Sequence, residues 1–229
     1  MAASVTGTSR VETVAGQIRQ RIFEGRLPPG SPLRELVIAR EFAVSQATVR
    51  EALQRLEHSG LVTRTTNVGS AVTRLSPEDL RERVELRAML EVHAAQQAAP
   101  RMHDEAFAEL ERRLRVMEEA VAANSYYEAA QADLNFHRHI WQCGGNRTLC
   151  RHLELITVPL IAFVSILRSR GLQRLITVVE AHQPLIDALR SRDPQVIRDT
   201  FGHAAVNPYK SFLGSSPEVP VLAAYGFLG

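Results

Sequence analysis

Apolar residues recur at helical spacing along most of this chain. Val14, Ile18, Ile22 and Phe23 mark a helix over residues 11–24, which Gly25 closes. Pro28-Pro29-Gly30 then imposes an extended turn. A short amphipathic segment over 35–42 leads, through Ala43-Val44, to a helix that opens at Ser45 and keeps Val49, Ala52, Leu53 and Leu56 on one face. Gly60 breaks that pattern. Leu61-Val62-Thr63-Arg64 and Ala71-Val72-Thr73-Arg74 are rich in β-formers and bracket residues 65–70. This predicts a two-stranded hairpin with Gly69 at its turn. Three helices and a hairpin make a winged helix-turn-helix over residues 10–75. Residues 1–9 are small and polar, a composition that predicts disorder.

Ser76-Pro77-Glu78-Asp79 starts a new helix. The serine caps, the proline takes the first helical position, and the acids sit where the helix dipole favours them. A domain boundary is placed there. From 77 to about 210 the pattern is helical, with almost no strand signal. Leu80, Val84, Leu86, Leu90 and Val92 lead the first helix, and Phe107, Leu110, Leu114, Met117 and Val121 form the next stripe. Further helices are predicted over 126–142, over 148–168 with a kink at Pro159, over 180–191 and over 194–206. Pro184 would cost about 3 kcal/mol inside a helix but little in a first turn, so that helix is placed to begin near Ala181. The fold class is therefore mostly α. An all-α bundle over 76–214 follows the winged head, and 215–229 form a tail.

Composition sharpens the division. Residues 10–75 hold ten Arg against six acids, a net +4, whereas the rest of the chain nets −2. A basic head beside a slightly acidic body suits a polyanion partner for the head. Cys143 and Cys150 are too few for a disulfide framework. With no apolar targeting core near the N-terminus and no uninterrupted apolar run of ~18 residues, a cytoplasmic protein without a membrane partner is expected.

The helix opening at Ser45 carries Gln46, Thr48, Arg50 and Arg55 away from its apolar face. The major groove of B-DNA, ~12 Å wide, admits such a helix and places its N-terminal residues at base edges. Arg50 suits guanine, Gln46 adenine, and Thr48 phosphate or a thymine methyl. Arg34 and Arg40 are placed to contact the backbone, with Thr66, Asn67 and Gly69 of the wing approaching the minor groove or phosphates. The run from Ile22 to Gly30, then Leu33, Val44-Ser45, Arg50 to Glu57 and Gly60-Leu61-Val62 resembles the GntR family of bacterial transcription regulators. That family usually begins its recognition helix Ser-Arg-Thr-Pro-Val-Arg-Glu-Ala-Leu. Here Gln46, Ala47 and Thr48 replace Arg, Thr and Pro, which implies an operator unlike the commonest half-site. Arg50 stands unchanged.

In the body, Asp133 and His137 are four residues apart and share a helix face. His182 and His203 lie about equally far from the turn at Arg192-Asp193-Pro194, so in an antiparallel hairpin they stand at the same height and can meet. One carboxylate and three imidazoles suit a divalent ion, zinc first, with nickel or manganese also compatible. By spacing alone, a surface Asp–His hydrogen bond is the commoner outcome. The body resembles the FadR-type effector domain called FCD, through Asp133-Leu134-Asn135-Phe136-His137, Glu180-Ala181-His182 and a final His203. The resemblance implies that Asp133, His137, His182 and His203 are metal ligands. It also matches Arg87 to an arginine of the first effector-domain helix. Arg87 either holds the carboxylate of a small organic acid effector or pairs with Glu91 at a surface or dimer contact.

Two functions follow. The leading one is a ligand-responsive regulator, a repressor working as a homodimer on a double-stranded DNA operator. The alternative is a metal-dependent hydrolase with an accessory DNA-binding head, for which no general base stands out.

Overall fold

The computed structural model describes residues 3–65, 69–210 and 212–213, with side chains from Arg10 onward. The chain divides into two compact units, Met1–Leu75 and Ser76–Gly229.

In the first unit α1 (Ala3–Phe23), α2 (Glu35–Glu41) and α3 (Gln46–His58) pack with a three-stranded antiparallel sheet of order β1-β3-β2. Its strands are β1 (Pro32–Leu33), β2 (Val62–Thr65) and β3 (Gly69–Val72). Helix α1 starts at Ala3, where disorder was expected. No proline interrupts residues 3–10, and extending an existing helix costs far less than nucleating one. The hairpin is present, paired from Val62 opposite Val72 to Thr65 opposite Gly69. Gly69 is therefore the first residue of a strand and not the turn itself. The third strand was hidden because two residues carry no period; Leu33 is nonetheless buried, and Pro32, which lacks an N–H, sits on an edge strand where none is needed. Helix α3 buries Val49, Ala52, Leu53 and Leu56 against α1 and α2.

The second unit holds α4 (Pro77–Ala98), α5 (Asp104–Ala122), α6 (Tyr126–Gly144), α7 (Arg147–Ser169), α8 (Thr177–Glu180), α9 (Gln183–Ser191) and α10 (Pro194–Val206). A 3₁₀ turn at Asn207–Tyr209 follows. Ser76 and Asp79 exchange the reciprocal hydrogen bonds of a capping box and fix the start of α4. Helix α4 packs against α6, α7 and α10 and so occupies the centre of the bundle. Its buried face is only partly the one expected: Leu80, Val84 and Val92 are buried, but Leu86 is exposed, while Arg87 and Glu91 are buried. Gly145, with φ +76°, ends α6 in the left-handed conformation, and Gly144 lets α6 approach α4, since a Cβ there would lie 3.2 Å from the Ala94 carbonyl.

Helix α7 runs unbroken through Pro159. Proline cannot donate to the carbonyl four residues back, and that carbonyl, Leu155 O, accepts instead from Arg83 Nη1 at 3.2 Å. By length and composition α7 could cross a membrane, but 67% of its apolar window is buried within the bundle. The helix of His182 begins, as Pro184 requires, at Gln183 with the histidine at its N-cap.

Leu56 is fully buried in the head. Leu56→Ala is expected to cost about 2–5 kcal/mol. Urea unfolding followed by circular dichroism checks this; a loss below 1 kcal/mol would show the head to be loosely packed.

Candidate functional site

Ser45 caps α3 by accepting from the Thr48 N–H at 3.1 Å, and its hydroxyl lies 2.9 Å from that of Thr48. Gln46, Arg50 and Arg55 are exposed on the helix; Thr48 is half-buried. Arg34, at the N-cap of α2, and Arg40 are exposed as well. Arg50 donates two hydrogen bonds to Glu35, of 3.2 and 2.8 Å, which raise its pKa further. Arg55 donates to Glu12 at 3.0 Å. Exposed pairs of this kind contribute little net stability, so a phosphate or a base can displace the acid. Gly69 is exposed; Thr66 and Asn67 lie outside the described residues, as do residues 215–229.

Within the bundle, Asp133 and His137 stand one turn apart on α6 and His182 sits at the mouth of α9. Their ligand atoms lie within 4.8 Å of one another, and all three residues are buried. Asp133 Oδ1 is 3.4 Å from His137 Nε2 and 3.2 Å from His182 Nε2. His182 Nδ1 bonds the Val178 carbonyl, which can only accept. That contact places a proton on Nδ1 and turns Nε2, enclosed and without a hydrogen bond, toward the carboxylate. Two lone pairs facing each other in a buried space call for a proton or a cation between them. Two ligands each ~2.1 Å from one ion stand about 3.0–3.4 Å apart, so the observed separations fit a shared ion.

Around the cluster lies a shell of buried charge. Glu91 faces His137 Nδ1 at 3.3 Å and accepts from Trp141 Nε1 at 2.9 Å and Arg87 Nε at 3.3 Å. Arg87 reaches the Tyr209 hydroxyl at 3.3 Å and approaches His137 Nε2 at 3.5 Å. Burial would raise the pKa of Glu91, but His137, Arg87 and the Trp141 N–H outweigh it and hold the carboxyl at about 2. Burial likewise opposes ionisation of Asp133, yet the two imidazoles keep its pKa well below the usual range. Burial lowers the pKa of His137, and Glu91 and Asp133 reverse this, pushing it up to about 9. The site is built to hold positive charge.

Asp133, His137, His182, Arg87 and Tyr209 line a cavity of about 850 Å³, with Glu91 and Trp141 behind them. His203 lines it too, from the face of α10 that carries Thr200 and Ala204, but is exposed and stands outside the three-residue cluster. Equal height on a helical hairpin does not fix the direction a side chain takes around its axis, and α10 buries Ile197, Phe201 and Ala205 instead. Arg87 pairs with Glu91, but in the interior of the bundle and not at a surface, and it also lines the cavity.

Sequence reasoning missed three contributors. Glu91 was seen only as a partner for Arg87, although Leu80, Val84, Arg87, Glu91 and Ala98 keep one helical stripe, and a carboxylate in such a stripe is a signal in itself. Arg168 lies in register with the cavity-lining Ile161 and Val164 of α7. Tyr209 belongs to a single 3₁₀ turn with no period to announce it.

A winged helix-turn-helix head and an all-helical body that encloses a cavity define a two-part transcription regulator. The chain belongs to the GntR family. Residues 10–72 match "Bacterial regulatory proteins, gntR family" and residues 82–203 match "FCD domain". A curated relative, "Probable D-xylose utilization operon transcriptional repressor" of Paenarthrobacter nicotinovorans, is 32% identical over 195 residues, 83% of this chain and 85% of its own length. Among solved structures, E. coli McbR/YncC shares the fold with a TM-score of 0.74 at 20% identity, covering 89% of this chain and 96% of that one. A putative GntR regulator from Rhodococcus sp. RHA1 does so at 0.72 and 23%, covering 90% and 99%. The family consists of transcription regulators and not enzymes, and the hydrolase alternative has no support in it.

Glu91→Gln leaves Arg87 buried without its counter-charge. It is expected to destabilise the protein by about 3–5 kcal/mol. Equilibrium unfolding is the check; a loss under 1 kcal/mol would mean that the carboxylate does not organise the bundle.

Proposed function

We propose that this chain is a ligand-responsive repressor of the FadR subfamily that acts as a homodimer in the cytoplasm. The head, residues 10–75, reads a double-stranded operator, and the bundle, residues 76–214, binds the effector and dimerises. Asp133, His137 and His182 hold one divalent ion, and His203, which lines the same cavity from outside the cluster, turns inward to complete it as the fourth ligand. Zinc is the first choice, nickel and manganese the others. The ion would supply open coordination positions for carboxylate oxygens. Arg87, buried beside His137, presents its guanidinium to the same carboxylate. The observation that carries this reading is the enclosed His182 Nε2, aimed without a hydrogen bond at the Asp133 carboxylate inside the cavity.

On the DNA side, the exposed polar edge of α3 supports base reading by Gln46, Thr48 and Arg50, with Arg34, Arg40, Ser45, Arg55 and the wing residues Thr66, Asn67 and Gly69 on the backbone or minor groove. Dimer heads must sit about one helical turn of DNA apart, ~34 Å, so a modest change in their spacing ends binding. Exposed Leu86 and Leu155 belong to the packed pair α4 and α7, and support a self-association surface there.

Protein purified without chelator is expected to carry about one divalent ion per chain by inductively coupled plasma mass spectrometry, and His137→Ala to lose it. An equal ion content in the variant would remove the cluster from metal binding. Arg50→Ala is expected to weaken operator binding by about 1–3 kcal/mol, roughly five- to 150-fold. A gel shift with the chain's own promoter region measures this, and unchanged affinity would exclude Arg50 from the interface.

A further inference from the structure

Arg168 lies in the last turn of α7 and is 6% exposed. Ile161, Val164 and Arg168 present one face of α7 to the cavity that holds Asp133, His137 and His182. Among the described residues the guanidinium has no ion pair and no hydrogen bond, and its Nε is fully enclosed. Arg87, equally buried, is matched by Glu91 and Tyr209. Arginine does not shed its proton in a protein, so burial leaves Arg168 a cation in need of a partner. Asp133 acts on it through its field but makes no contact with it.

The charge balance of the cavity points the same way. Two buried carboxylates, Asp133 and Glu91, offset two buried guanidiniums, Arg87 and Arg168. With neutral imidazoles, a divalent ion then leaves two positive charges over. A ligand with a single carboxylate neutralises only one of them. The cavity, about 850 Å³, falls in the range that encloses a molecule well beyond acetate in size. Ile161, Val164 and Leu185 supply an apolar wall for a carbon chain. Exposed Glu180 and Asp199 also border it, and exposed Arg174 and Lys210 offset them, so the rim leaves the buried balance unchanged.

We propose that Arg168 is a second anion site and that the effector is an organic acid with two anionic groups, one carboxylate at the Asp133–His137–His182 cluster and Arg87, the other a carboxylate or phosphate paired with Arg168. This rests on reading the cavity as the effector site. The guanidinium fork favours a planar or tetrahedral oxyanion over a hydroxyl, because it can donate two parallel hydrogen bonds to it.

The test is calorimetric titration of the full-length zinc-loaded protein with two matched pairs: glutarate against its monomethyl ester, and 6-phosphogluconate against gluconate. The member with two anionic groups in at least one pair is expected to bind tenfold or more tighter than its partner, and the pair that shows it identifies the second group. Arg168→Met is expected to reduce that preference to within twofold, with zinc content and monoanion affinity unchanged. A preference that survives in the variant, or is absent from wild type while the monoanions bind, overturns the inference and leaves the effector site standing. Binding of none of the four overturns both. Ligand-free Arg168→Met is also expected to melt about 2–4 °C above wild type, since an uncompensated buried charge is gone. A lower melting temperature, or failure to fold, would show that Arg168 is structural and also overturn the proposal.

Discussion

The bundle depends on one buried carboxylate. Glu91 lies at the seam of α4 and α6, 1% exposed, where an unpaired charge would be prohibitive. It is tolerable because Trp141 and Arg87 donate to it and His137 faces it. The same contacts set the orientation of His137, whose Nδ1 side is occupied by Glu91 and whose Nε2 side is left for Asp133. A carboxylate behind a ligating imidazole fixes the tautomer and strengthens the donor. Packing of the core and preparation of the site are thus one arrangement, and α4, which looks like a poor amphipathic helix, is central because its polar residues point inward.

The head was legible because its signals are local. A cap at Ser45, a period-3.6 stripe from Val49 to Leu56 and two β-rich runs each specify their own element, and the structure places all of them. What stayed hidden was non-local: the pairing of Pro32-Leu33 with β3 depends on residues almost 40 positions away. In the body, Asp133 and His137 were readable as an i,i+4 pair and His182 as the residue before a proline-started helix. Arg168 and Tyr209 were not, since nothing in their sequence neighbourhood says which way they face. Counting along the hairpin brought His203 to the cavity wall but not into the cluster, since it gives height and not azimuth.

The two units use ion pairs in different ways. In the head, Arg50–Glu35 and Arg55–Glu12 are exposed and weak, so the arginines are held in place yet free to exchange partners. In the bundle, Arg87–Glu91 is enclosed and cannot be exchanged without a large penalty. Reversible contacts belong on a surface that meets different DNA sequences, and permanent ones belong around a centre that must keep its shape between ligands.

The bond from Arg83 to the carbonyl freed by Pro159 has a mechanical consequence. It clamps α4 to α7 one turn before Arg87, on a helix that runs without interruption from the capping box at Ser76 to Ala98, ~33 Å at 1.5 Å per residue. A rod of that length, pinned about a third of the way along, behaves as a lever with its fulcrum at Arg83. A small tilt imposed at Arg87 and Glu91 would be delivered as an opposite displacement at the capping box of Ser76 and Asp79, with no break in the helix between to absorb it.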